Sequence, residues 1–193
     1  AQGSSDAVGD GTFLYGGPST SSVSTTDSGY LYETYVSFVD MNNQPVQATS
    51  FAYGFESLAD TNGVASLPLL ASGTVVEVLY DGQGVSKELF GNQQGQTVQI
   101  IALPEGDWTL PSSSTIVLGA RPDGQPHQLN GDLTFSSNSH LKLIDTTLIV
   151  AQTFEVDLGP SGTLTGDNGV LNASLMTLSV QSTLVSEGRG LEI

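Results

Sequence analysis

From Tyr30 to Leu103 apolar and polar residues alternate in short runs instead of recurring every three to four positions. The runs are Tyr35-Val36-Ser37-Phe38-Val39, residues 47–53, Val64-Ala65-Ser66-Leu67, residues 75–80 and residues 97–103. Alternation at these lengths sends every second side chain to one face, which predicts half-buried strands. Between the runs sit Asn42-Asn43-Gln44-Pro45, Asp60-Thr61-Asn62-Gly63, Ala71-Ser72-Gly73 and Asp81-Gly82, made of residues that tolerate turn dihedrals or preset φ. No window carries a helical stripe with caps. The pattern predicts an antiparallel β-sandwich over residues 30–104, within the usual size range of a domain.

After residue 114 the runs become shorter. They include Ile116-Val117-Leu118, Leu133-Thr134-Phe135, Leu141-Lys142-Leu143, Leu148-Ile149-Val150, Phe154–Leu158, Leu178-Ser179-Val180 and Thr183-Leu184-Val185. Apolar pairs return about every seven residues, with Gly, Asn, Asp or Ser between them, the rhythm of short strands winding around one axis. A second sandwich would space its strands at about 8–12 residues. A β-solenoid-like domain over 115–193 is the preferred expectation, with a second sandwich as the alternative. Gly190-Leu191-Glu192-Ile193 ends on an apolar strand without polar closure. A solenoid coil left bare exposes β edge and core, so either the natural chain continues or another subunit covers Leu191 and Ile193.

Two segments lie outside these patterns. Residues 1–29 form a Ser/Thr/Gly-rich arm with one apolar run, Thr12-Phe13-Leu14-Tyr15, too little to offset its own ordering entropy. Its two readings are a flexible leader and an arm whose Phe13-Leu14-Tyr15 strand pairs with the sheet edge of a neighbouring subunit. Residues 105–114, rich in Pro and Ser, read as a linker, and the single tryptophan, Trp108, is expected to cover an interdomain seam.

Composition narrows the partners. The 193 residues carry 4 Lys and Arg against 20 Asp and Glu, for a formal charge of −16. Such a surface repels a phosphate backbone and an anionic membrane, and no run reaches the roughly 18 apolar residues of a membrane span. Neither a nucleic-acid partner nor membrane insertion is expected. The 43 Ser and Thr supply polarity where charge is scarce, a balance that points to an extracellular or cell-surface setting. The absence of cysteine excludes disulfides, thiolate metal sites and a thiol nucleophile. The start at Ala1 instead of Met fits trimming of the initiator, cleavage of a targeting segment, or a fragment of something longer.

Val36-Ser37-Phe38-Val39-Asp40, Asn43-Gln44-Pro45-Val46, Asp60-Thr61-Asn62-Gly63-Val64-Ala65 and Gln96-Thr97-Val98-Gln99-Ile100 together resemble the prealbumin-like, or carboxypeptidase-regulatory-type, β-sandwich related to Cna-B repeats of bacterial surface proteins. The likeness covers about two fifths of the chain and rests on turn chemistry, so it implies an Ig-like sandwich fold more than an activity. Cna-B repeats often join a first-strand Lys to an Asn. Lysines here are confined to Lys87 and Lys142, outside that strand, so the likeness does not extend to an isopeptide bond. Gly162-Thr163-Leu164 and Ser182-Thr183-Leu184 resemble the recurring phrases of β-helical secreted adhesins and fibre proteins.

Catalytic chemistry is hard to find. His127 and His140 lie in polar turns without a Gly-x-Ser-x-Gly elbow, and their spacing makes no zinc signature. A polysaccharide-cleaving site would draw on Asp132, Asp145, Asp157, Lys142 and Arg189, which form no recognisable constellation. Asp60-Thr61-Asn62-Gly63 and Gly166-Asp167-Asn168-Gly169 are oxygen-rich turns lacking EF-hand spacing, so turn geometry explains them and at most weak calcium binding follows. Asn172-Ala173-Ser174 is an N-glycosylation sequon. No catalytic residue, resident metal or cofactor is assigned.

The expectation is an all-β extracellular structural protein without enzyme activity, a subunit or fragment of a filament, fibre or surface layer, assembling through β-edge contacts at Phe13, Leu14, Tyr15, Leu191 and Ile193. Its partners would be copies of itself, with a cell surface or glycan as further candidates. Alternatives are a virion decoration or tail-fibre protein and a polysaccharide-binding or polysaccharide-cleaving β-helical protein.

Overall fold

The computed structural model describes Tyr15–Gly16 and residues 29–193, and these contain strands and turns but no helix. They divide into two compact units, the described residues up to 77 with 87–99, and residues 78–86 with 100–193. The division cuts a hairpin: the base of its two strands belongs to the first unit and its tip, Val78–Ser86, to the second.

In the first unit β2 (Leu31–Val39) lies between β5 (Val64–Leu70), its antiparallel partner, and β8 (Gln96–Gln99), which runs parallel to it. The short β1 (Tyr15–Gly16) pairs in parallel with Leu31–Tyr32. A second set of strands places β3 (Thr49–Ala52) between its hairpin partner β4 (Phe55–Leu58) and β6 (Thr74–Tyr80), with β7 (Gln83–Leu89) next to β6. Alternation does what the sequence predicts. Val36, Phe38, Leu67, Leu69 and Val98 are buried, while Tyr35 and Val75 face outward. The turns hold because side-chain carboxylates satisfy backbone donors. Asp40 Oδ1 accepts from the N–H groups of Asn42 and Gln44, both at 2.8 Å, and Asp60 Oδ1 accepts from those of Asn62 and Val64, both at 2.9 Å. These bonds hold the Asp60 carboxyl below its usual pKa, Val64 being the strongest cause. A sequence reading misses β4 and β7, whose Gly, Ser, Glu and Lys content disguises the alternation.

The second unit is a β-solenoid of about four turns. Its first coil comprises β9 (Trp108–Leu110), β10 (Thr115–Leu118) and β11 (His127–Leu129); the next comprises β12 (Leu133–Phe135), β13 (His140–Ile144) and β14 (Thr147–Val150). The third is β15 (Glu155–Asp157) with the long β16 (Thr163–Asn172), and the fourth β17 (Leu175–Thr177) with β18 (Thr183–Glu192). Equivalent strands pair in parallel, Trp108↔Leu133↔Val156↔Met176, so the coils measure 25, 23 and 20 residues. Inward columns follow from this stacking. One is Ile116, Leu141, Leu164 and Leu184; another starts at Leu110 and Phe135 and continues, one residue beyond each paired position, to Leu158 and Leu178.

One corner repeats in every coil with residues other than glycine. Ser113, Asn138, Ser161 and Gln181 all have φ of 55–62°. Each is the third residue of a turn closed by a backbone bond, from Ser114 to Pro111, Ser139 to Ser136, Gly162 to Gly159 and Ser182 to Ser179. In three of the four the closing Ser also donates its hydroxyl to the same carbonyl, at 2.6–2.8 Å. Left-handed backbone costs a non-glycine residue of order 1 kcal/mol, and the doubled closure offsets part of that. The Ser richness read from composition is therefore in part a corner requirement of the solenoid.

Candidate functional site

The two ends of the solenoid differ. On the first coil, β10 is covered by the hairpin tip: β7 pairs antiparallel with it, Ile116 opposite Val85 and Leu118 opposite Gln83. Gly119 N–H donates to Gly82 O at 2.8 Å and Leu103 N–H to Gln83 Oε1 at 2.5 Å. Glycine is required at 84, because a Cβ there would collide with the carbonyl of Val78. The hairpin turn itself uses Asp81 and Gly82 with φ of 53° and 74°, the type I′ pattern expected of that dipeptide.

On the fourth coil no strand pairs with the outer edges of β17 and β18 among the described residues. The inward columns record this directly. Ile116, Leu141 and Leu164 are fully buried but Leu184 is 40% exposed; Leu110 and Leu158 are buried but Leu178 is 57% exposed. Leu175, Val180 and Ile193 are exposed as well. The same side-chain positions that form core in three coils form a wet apolar surface in the fourth.

The proposed assembly residues fall as follows. Leu191 pairs with Gly169 and is half-buried; a Cβ on Gly166 would approach its Cδ1 to 2.6 Å, so glycine there makes room for it. Ile193 is exposed beside it in sequence. Tyr15 lies in β1 beside Leu31, and Phe13 and Leu14 fall outside the described residues. Trp108, placed by sequence reasoning in a linker, opens the first coil in register with Leu133 and is buried there. Asn172 is exposed at the end of β16.

The acidic candidates do not converge. Asp132, at the entry to β12, accepts the backbone N–H of Glu155 at 2.8 Å, while its own N–H donates to Asp107 at 3.0 Å, so these carboxylates cap the next coil's corner. Asp157 accepts from Gly159 N–H at 2.9 Å. Asp145 sits at a different corner, where it takes a hydrogen bond from Asn168 at 2.9 Å and pairs with Arg189. Lys142 lies outward on β13 beside Val117 and Thr165. No group of three His, Asp or Glu side chains suited to a metal ion occurs among the described residues.

His127 departs from its polar surroundings in sequence. It points inward on β11 in the column of Leu148 and Leu171, is 1% exposed, and its Nε2 lies 2.9 Å from Gly119 O. Burial pushes its pKa below the ordinary 6.5, a shift that the Gly119 carbonyl partly opposes. A neutral imidazole donating through Nε2 fits this site, which ties His127 to the capped end through Gly119. Near it an open groove of about 670 Å³ is lined by polar side chains, among them Glu105, Arg121, Asp123, Gln128 and Asn130. Asp123 and Arg121 are already paired with each other at 2.9 Å.

Comparison with known proteins returns no match: no family model, curated sequence or solved structure is significantly similar to this chain.

Proposed function

We propose that the protein is an extracellular structural subunit, part of a filament, fibre or surface layer, that joins copies of itself through β edges. The observation that supports this reading is the fourth coil, where the columns that start at Ile116 and Leu110 end on the exposed Leu184 and Leu178 and the strand edges beside them carry no partner among the described residues. An apolar strand edge of that kind templates further β pairing. On this reading the first unit is a prealbumin-like sandwich, the solenoid is the stacking element, and no residue acts as a catalyst.

Electron microscopy of the purified protein at neutral pH tests the proposal. Ordered filaments or layers are expected, with association strengthening as salt screens the −16 charge. Discrete monomers at every salt concentration would overturn it. Association that weakens with salt would replace apolar edge pairing by specific ion pairs as its cause.

A further inference from the structure

The solenoid has an entry phrase. Gly106-Asp107-Trp108-Thr109-Leu110 opens the first coil and Gly131-Asp132-Leu133-Thr134-Phe135 the second. Each position has a physical task. The glycine lets one corner lie directly on the next, since a Cβ on Gly131 would collide with the backbone of Gly106 and Asp107. The aspartate caps the following coil's N–H, as Asp107 does for Asp132 and Asp132 for Glu155. The third and fifth residues point inward and are buried, and the threonine between them points outward.

The same phrase occurs once more, as Gly9-Asp10-Gly11-Thr12-Phe13. We propose that this segment of one copy adds as a parallel strand to the free edge of β17 in a second copy, supplying the next rung of the column that ends at Leu178. The inference rests on the assembly reading above and names its donor, its acceptor and its register. Continuing the ladder Leu133↔Val156↔Met176 puts Gly11 over Met176, Thr12 beside Thr177 and Phe13 over Leu178. Phe13 then repeats the place of Phe135, which is buried in that column, and covers the exposed Leu178.

The receiving corner suits this donor. Asp107, Asp132 and Glu155 stack acids along one outer row, but the next residue of that row is Leu175. Asp10 therefore arrives over an apolar side chain, with the nearest stacked carboxylate two rungs away, about 9.6 Å at the usual strand spacing. A further acid at 175 would have repelled it. Directly after the phrase, Tyr15–Gly16 pairs with Leu31–Tyr32 of the first unit. At the first coil β7 occupies the outer edge of β10, whereas the outer edge of β9 carries no partner among the described residues, so a Thr12→Cys bond to Thr109→Cys in place of Thr177→Cys would overturn this acceptor.

The chain has no cysteine, so single substitutions can report the register. Two full-length variants are made, Thr12→Cys and Thr177→Cys, then mixed and mildly oxidised; rung neighbours fall within disulfide reach. A heterodisulfide between the two chains is expected, lost when the donor also carries Phe13→Asp, and absent when Ser5→Cys replaces Thr12→Cys. Sedimentation of the unmodified protein runs alongside. Oligomers without the 12–177 bond, or with equal 5–177 bonding, would overturn the donor and register while leaving the assembly reading intact. Monomers throughout would overturn both. An intramolecular bond in a monomeric Thr12→Cys, Thr177→Cys chain would overturn the second copy as donor.

Discussion

The first and fourth coils of the solenoid are built from the same columns and the same corner, yet the long row that starts at Ile116 is covered by a strand at one end and bare at the other. Ile116 and Leu184 belong to one inward row; the first is fully buried and the second is not. What separates them is the strand next door. The hairpin tip covers β10 with antiparallel β7, and nothing equivalent covers β18 among the described residues. In a repeat structure each coil is stabilised by its neighbours, so a terminal coil's contribution is set by its cap more than by its own sequence. The contrast also explains how chemically similar leucines can serve as core in one coil and as contact surface in another.

The largest effect on this contrast is expected from damage to the cap. Gly84→Val should lower stability by more than about 4 kcal/mol, because the added side chain collides with the Val78 carbonyl and separates β7 from its partners. Urea unfolding followed by circular dichroism measures it, and a loss below about 1 kcal/mol would show that the hairpin does not depend on that close approach.

A second comparison moves along one column. Leu164→Ala should cost about 3 kcal/mol, the range for a buried leucine, whereas Leu184→Ala should cost about 1 kcal/mol or less in dilute, unassembled protein. If the two losses are equal, the fourth coil is already covered in the isolated chain. The difference should shrink under assembling conditions, where Leu184 gains a neighbour.

The smallest effect concerns pH. His127 is held neutral in the folded chain with its pKa pushed below 6.5, so the unfolded chain binds more protons once the pH drops below that value. Its contribution is complete above pH 6.5 and declines as the pH falls toward the folded-state pKa. His127→Gln should flatten this part of the stability profile; an unchanged slope would assign it to other groups.

Much of the architecture was readable along the chain. Alternation announced Tyr35–Val39, Val64–Leu67 and Val75–Tyr80, which lie inside the longer strands Leu31–Val39, Val64–Leu70 and Thr74–Tyr80, and the short apolar rhythm after residue 114 announced a solenoid. Strands with few apolar residues stayed hidden. Gln83–Leu89 has only Val85 and Leu89 to show its buried face, since Gly84 is buried without a side chain to reveal it. His127 was misleading in another way, because Asp123-Gly124-Gln125-Pro126 before it reads as an exposed loop while the imidazole itself turns inward to Gly119. The candidate site was half visible. Apolar residues near Leu191 and Ile193 marked an unclosed edge, but the exposed columns ending at Leu178 and Leu184 required the stacking register to identify.

Local chemistry thus dictated the strand-and-turn character of this protein: period-2 apolar patterns, Asp-Gly and Asp-Thr-Asn-Gly turns, and Ser-rich corners are short-range properties, satisfied by neighbouring residues in the chain. Pairing was decided elsewhere. That Val85 meets Ile116, that Trp108 lies on Leu133, and that Leu184 is left exposed where Leu164 is buried, depend on contacts between residues far apart in sequence. An apolar side chain carries the same preference for burial in every coil, and only the stacked structure determines which of them finds a partner.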